Sequence, residues 1–171
     1  MLSLKSIRNV ALSALLTVGA FSAVLYTSCN KDACKNVVCK NGGTCVSGTC
    51  SCPTGYEGTN CETLSRAKMV ANWSGSDACT SGTYSIALSI AASSSADVNA
   101  LVNNVGGFGS SIQITGTVTA TNTLSFTNQS VGGGRTLTGT MTFTGNAMNF
   151  KYTVTPATGS VDNCEGNYTK Q

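Results

Sequence analysis

The chain has 171 residues, no histidine, only 10% charged side chains and a formal net charge of +3. Lys5 and Arg8 belong to an N-terminal leader. Without them eight basic side chains face seven acidic ones, a net +1 that gives no electrostatic case for nucleic acid. The lack of histidine removes the usual general base near neutral pH. Abundant Gly, Ser, Thr and Asn suit short strands and turns rather than solvated helices.

Residues 1–28 carry Lys5 and Arg8, then an apolar run from Val10 to Tyr26, then Thr27-Ser28-Cys29, the order of a secretory signal. Leu25-Tyr26-Thr27-Ser28-Cys29 resembles a bacterial lipobox, with tyrosine where a small or aliphatic residue is usual. The resemblance implies cleavage before Cys29, a diacylglycerol on its thiol and an acylated amino terminus, with residues 29–33 as a lipidated tether. The alternative is an uncleaved spanning anchor; the run of 17 residues sits at the low edge of what spans a bilayer. Parity supports lipidation. Of nine cysteines, six cluster between Cys34 and Cys61, and Cys79 and Cys164 form a natural couple further on. Cys29 is left alone, and a leftover thiol in an oxidising compartment needs an explanation. Two or three acyl chains satisfy the two-signal condition for stable anchoring.

Residues 34–61 hold cysteines at the intervals C-x4-C-x5-C-x4-C-x-C-x8-C. A segment this short cannot bury enough apolar surface to hold itself, so disulfides must replace the core. Cys39-Lys-Asn-Gly-Gly-Thr-Cys45, then Cys50-Ser-Cys52-Pro-Thr-Gly-Tyr-Glu-Gly-Thr-Asn-Cys61, resembles an epidermal growth factor (EGF)-like module. From the cysteines alone fifteen connectivities are open. The resemblance implies first to third, second to fourth and fifth to sixth: Cys34–Cys45, Cys39–Cys50 and Cys52–Cys61. Each closes about ten to twelve residues, worth about 3 kcal/mol in the chain-entropy model. Gly42 and Gly43 sit where a turn needs positive φ, and Gly55 and Gly58 flank Tyr56, which has room to pack on a disulfide. Many such modules bind calcium. Asn30 and Asp32 stand at plausible places, but Ala33 replaces an expected acidic residue and Val-Ser-Gly-Thr between Cys45 and Cys50 supplies no Asn or Asp. Calcium needs six to eight oxygens, so no metal or other cofactor is expected and the module is read as a disulfide-held spacer. Lys31-Asp32 after the anchor faintly resembles the charged tethers that mark some Gram-negative lipoproteins for the outer surface.

After a linker at 62–66, residues 67–171 change to period two with turn residues every eight to twelve positions. Eight strands are predicted: 67–74, 82–91, 98–105, 111–119, 122–128, 135–143, 147–155 and 163–169. Thr144-Gly145-Asn146 and Ala120-Thr121 are tight connections, so neighbours are antiparallel and the chain a meander. The fold class is thus mainly β, a small disulfide-rich module followed by an eight-stranded antiparallel meander. An up-and-down barrel is favoured over a β-sandwich, because an open sheet of this size would leave two exposed edges. Val70-Ala-Asn-Trp73-Ser-Gly loosely resembles the Gly-x-Trp first strand of lipocalin-like (calycin) barrels, with Ala71 in place of the glycine. Cys79, just after the first strand, and Cys164, opening the last, would tie the strands that close a barrel; their loop gives roughly 4.5 kcal/mol.

Three function classes follow. In the first the chain is a non-enzymatic lipoprotein of the bacterial cell envelope, expected at the outer membrane, on its surface or its periplasmic face, attached to the membrane by its lipid and either binding a protein or glycan or serving as envelope structure. In the second the barrel carries a small apolar ligand, as lipocalin-like folds do. That requires a cavity, and the inward candidates Trp73, Tyr84, Ile86, Leu88, Ile90, Ile112, Ile114, Phe126, Met141, Phe143, Phe150 and Tyr152 are large enough to fill it. The third class is a hydrolase. Its candidate carboxylates, Glu62, Asp77, Asp97, Asp162 and Glu165, read as loop and strand-end charges, none on an apolar alternating position, so no catalytic residue is expected. The serines of 93–95 lack a nucleophile elbow. Gly106-Gly-Phe-Gly109 and Val131-Gly-Gly-Gly-Arg135 lack the lysine and helix of a phosphate loop and read as hairpin loops.

Overall fold

A computed structural model describes residues 33–171. The leader, Cys29, and the calcium candidates Asn30 and Asp32 lie outside the described residues. The chain divides after Asn36, and the unit Val37–Gln171 carries the architecture.

Four short strands come first: β1 (Thr44–Val46) pairs with β2 (Thr49–Ser51), and β3 (Tyr56–Glu57) with β4 (Thr63–Leu64). Such strands cannot stand alone, and disulfides hold them: Cys39–Cys50 and Cys52–Cys61 are bonded, and Cys34 and Cys45 are each disulfide-bonded. Gly42 takes the expected positive φ of 78°, but its turn partner there is Asn41 at 49° rather than Gly43. Gly43 is needed for space instead, since a Cβ would fall 2.7 Å from Cys61 Sγ. Tyr56 extends its hydroxyl away from the module to Asp97 Oδ2, 2.7 Å off.

The eight strands that follow are β5 (Ala71–Cys79), β6 (Gly82–Ala92), β7 (Asn99–Asn103), β8 (Gln113–Ala120), β9 (Thr123–Ser130), β10 (Thr136–Thr144), β11 (Ala147–Thr155) and β12 (Asp162–Lys170). Each is antiparallel to the next, and β12 pairs back onto β5, so the sheet is a closed barrel without edges. Register shifts in the β8–β9 and β9–β10 pairs mark irregularities of the kind that let a sheet coil.

The first barrel strand lies further along than the sequence suggests. Ser65–Lys68 form a 3-10 turn, and Met69 tucks under Trp73, whose indole Nε1 donates to the Met69 carbonyl at 3.0 Å. Burial there comes from this turn rather than from a pleat. Extended structure begins at Ala71 and continues through Cys79, which is therefore the last residue of the strand and not a residue after it. Cys79 stands directly opposite Cys164, and the two are bonded. The segment read as a linker is also structured: Thr63–Leu64 are strand β4 and Arg66 is buried.

Alternation decides what is inside. Along β11, Met148, Phe150, Tyr152 and Val154 point inward while Lys151 is exposed, and along β12 Cys164, Gly166 and Tyr168 alternate with Glu165 and Asn167. One cluster with Trp73, Leu124, Phe126, Leu137, Met141 and Phe150 occupies the interior. Burial of each large apolar side chain contributes about 1.5–3 kcal/mol. The outer face carries Thr83, Ser85, Thr138, Thr142, Lys151, Glu165 and Asn167. This is opposite to a membrane-spanning barrel, whose apolar side chains face out. Among the described residues no helix is long and apolar enough to cross a membrane.

Candidate functional site

The two ends of the barrel differ. At one end the connections are the two-residue turns at 121–122 and 145–146 and the 93–98 loop, and Arg66 and the N-terminal module close it. Arg66 Nη1 donates to the carbonyls of Ser93, Ala96 and Asn99 at 2.8, 2.7 and 2.7 Å, and Nη2 lies 3.4 Å from Asp97 Oδ1. The module reaches the same loop: besides the Tyr56–Asp97 bond, Gly55 lies against Val98, and its carbonyl accepts from Ser65 N at 2.8 Å.

At the other end the loops are longer, 104–112, 131–135 and 156–161, beside the short turn at 80–81. They frame an open pocket of about 560 Å³, within the range of small-ligand clefts. Ile86, the backbone of Gly106–Gly107 and Tyr152 line it with Phe108, Tyr84 and the Cys79 end of the disulfide. Polar and charged groups come from Ser81, Thr83, Ser85, Arg135 and Asp162.

The 104–112 loop is fixed by Asn104, which takes a left-handed φ of 56°. Its Nδ2 donates to Ala87 O at 2.7 Å and its Oδ1 accepts from Gly109 N at 3.1 Å. Gly107, at φ 70°, follows close over the core, where a Cβ would fall 2.8 Å from Ile86 Cδ1. Phe108 then lies beneath Arg135, whose guanidinium carbon is 4.7 Å from the ring centroid, a cation–π contact. Arg135 Nε donates to Gly132 O at 3.2 Å. Opposite, the Asp162 carboxylate accepts from Ser81 N at 3.0 Å and Ser81 Oγ at 2.5 Å, and Tyr84 OH donates to Ser81 Oγ at 3.2 Å.

Below the pocket, inside the barrel, sits Asp77, which is fully buried. Its Oδ2 accepts from Tyr152 OH at 2.5 Å and its Oδ1 from Tyr168 OH. Gly166, opposite it on β12, leaves the room; a Cβ there would overlap Asp77 Oδ1. Burial, then the hydrogen bond to Asp77 and its charge, push both tyrosine pKa values far above the ordinary 10.0. Both phenols therefore stay protonated and remain donors.

These placements correct two expectations. Asp77 is not a strand-end charge; it occupies the same inward parity as Trp73, four residues earlier on β5, which runs on to Cys79 where the sequence pattern ends the strand at 74. Tyr84 shares the inward parity of Ile86, Leu88 and Ile90 but is 45% exposed, because its end of β6 lies beyond the packed core at the rim. The other inward candidates are buried, with Ile112 half-buried against the cluster. Of the remaining carboxylates, Glu62 belongs to the module, Asp97 to the closed end, and Glu165 pairs with Lys151 on the outer face at 3.3 Å. The structure does not bring them together. Tyr168 was missed, although Cys164-x-Gly166-x-Tyr168 carries the period-two signal. Cys79, Cys164 and Asp162 lie within 4.8 Å of one another, but the two sulfurs are spent on their disulfide.

No family model matches the chain, and no curated protein matches it significantly. Among solved structures it is similar to a provisionally named outer membrane protein of Bacteroides fragilis, at 18% identity and a TM-score of 0.38. The similarity covers 63% of this chain and 52% of the other, so this chain spans about half the length of the structure it matches. At that level the function has to be argued from the residues of the chain itself.

Proposed function

We propose that this chain is a non-enzymatic cell-envelope lipoprotein, held by acyl chains on Cys29, whose EGF-like module is a spacer and whose barrel offers its open mouth as a binding site. The observation that carries this is the polarity of the barrel. Its exterior is polar and its interior apolar, which fits a barrel surrounded by water, so attachment to a membrane would fall to a separate anchor. The module docks at the closed end, through Tyr56, Gly55 and Ser65. A ligand buried along the barrel axis is disfavoured, because Phe126, Phe150, Leu137 and Met141 occupy that space, which favours the mouth as the binding site in this reading. The chain lacks histidine, and the Asp162 carboxylate is already engaged by Ser81, which supports binding rather than catalysis.

Protease shaving of intact cells, with a permeabilised control, tests this together with mass spectrometry of the anchored remnant. The expected result is acyl chains on Cys29 and digestion of the described region in intact cells if the outer face is used. Protection until permeabilisation places the barrel in the periplasm, still as a tethered binder. An unmodified Cys29 in a soluble fraction refutes the reading.

A further inference from the structure

The mouth pocket carries an asymmetry that specifies a ligand. Three described ion pairs, Arg66–Asp97, Lys68–Glu57 and Lys151–Glu165, absorb cations elsewhere. Arg135 has no carboxylate partner among the described residues, and its only side-chain hydrogen bond there runs from Nε to Gly132 O. Its terminal nitrogens are left with their donors free, while the plane is held on Phe108. A guanidinium presented this way is a two-pronged donor matched to a carboxylate. Across the pocket the fixed Asp162 supplies a negative charge. Between them lie Ile86, Phe108, Tyr84 and the Tyr152 ring.

We infer that the mouth binds a small organic monocarboxylate with an apolar, flat body, its carboxylate on Arg135 and its body over Ile86 between Phe108 and Tyr84. This rests on the binding-module reading and names its ligand class. The stacked Arg135 and the Asn104-held loop are ordered before binding, so little side-chain or loop freedom is lost on complex formation. A second carboxylate on the ligand would face Asp162 and be repelled, so monoacids are selected over diacids.

Equilibrium dialysis of radiolabelled 4-phenylbutyrate against the full-length protein in lipid nanodiscs, with empty nanodiscs subtracted, tests this. Saturable one-to-one binding is expected, at least tenfold tighter than that of 4-phenylbutanol or phenylsuccinate in competition. Arg135→Gln should weaken 4-phenylbutyrate at least tenfold and leave 4-phenylbutanol unchanged, with Arg135→Lys in between. No saturable binding, equal binding of the alcohol or the diacid, or an unaffected Arg135→Gln variant each overturns the inference. The competition series needs only the wild-type chain, so a variant that fails to fold does not remove the test. Failure here with Cys29 acylated removes the ligand class and leaves the envelope reading standing; binding by a chain with unmodified Cys29 does the reverse.

Discussion

At the closed end of the barrel a single buried cation, Arg66, gathers three loop carbonyls, and a tryptophan seals the floor. At the open end the comparable role falls to a buried anion, Asp77, gathering two phenols, with a disulfide beside it. Both ends satisfy buried polar groups with one charged centre, but only the first also covers the end with chain. The difference teaches how a filled barrel keeps a usable mouth. Rigidity beneath the opening comes from Asp77 and the Cys79–Cys164 bond, so the loops above need not close over it.

The largest expected effect breaks the open end. Replacing Cys79 and Cys164 together by alanine should lower stability by about 4.5 kcal/mol in the chain-entropy model, read from denaturant unfolding. A loss well under 1 kcal/mol would mean that the β5–β12 ladder alone secures that end.

Asp77→Ala comes next. It leaves the Tyr152 and Tyr168 hydroxyls buried without their acceptor, a cost of about 3 kcal/mol. The same cluster sets an alkaline limit. Both tyrosines titrate far higher in the folded chain than their ordinary 10.0, so the folded state holds protons that the unfolded chain releases. Their contribution is intact below pH 10.0 and is lost above it, at up to about 2.7 kcal/mol per pH unit for two protons. Denaturant titrations at pH 9 and pH 11 should differ by about 2.7 kcal/mol in total in the wild type, because the slope builds only as pH passes 10.0, and by roughly half of that in Tyr168→Phe; an unchanged difference would remove Tyr168 from the account.

The smallest effect sharpens the closed end. Arg66→Ala should cost about 2 kcal/mol by removing the buried donor shared by three carbonyls, of which those of Ala96 and Asn99 keep the amides of Asn99 and Ser93, with increased hydrogen exchange confined to the 93–99 segment and the module contact. Faster exchange at 104–112 as well would show that the two ends are coupled.

Much of this was legible in the residues. The β-hairpin periods from Gly82 onward placed those strands within two residues of their ends, because each alternates apolar and polar side chains between clear turn signals. The first strand was displaced because Ala67-Lys-Met69-Val70 reads as extended while it forms a turn under Trp73. That error hid Asp77, since a polar residue on an inward position defeats a rule that looks for apolar alternation. Arg135 was visible only as the end of a glycine-rich loop. Its stacking on Phe108, from a loop more than twenty residues away in sequence, is a tertiary fact with no local signal.

The seam between β5 and β12 has a mechanical consequence. Ala71 and Lys170 lie at the same end of the barrel, with Gln171 N bonded to Asn72 O, and Cys79–Cys164 lies at the far end of the same pair. Tension between the module and Gln171 would unzip the ladder one hydrogen bond at a time until it met the disulfide. There the load passes through sulfur, and the chain from Thr80 to Asn163, with the mouth loops, is never pulled. A barrel pulled from these two ends would keep its pocket in shape while the seam beneath it is stretched.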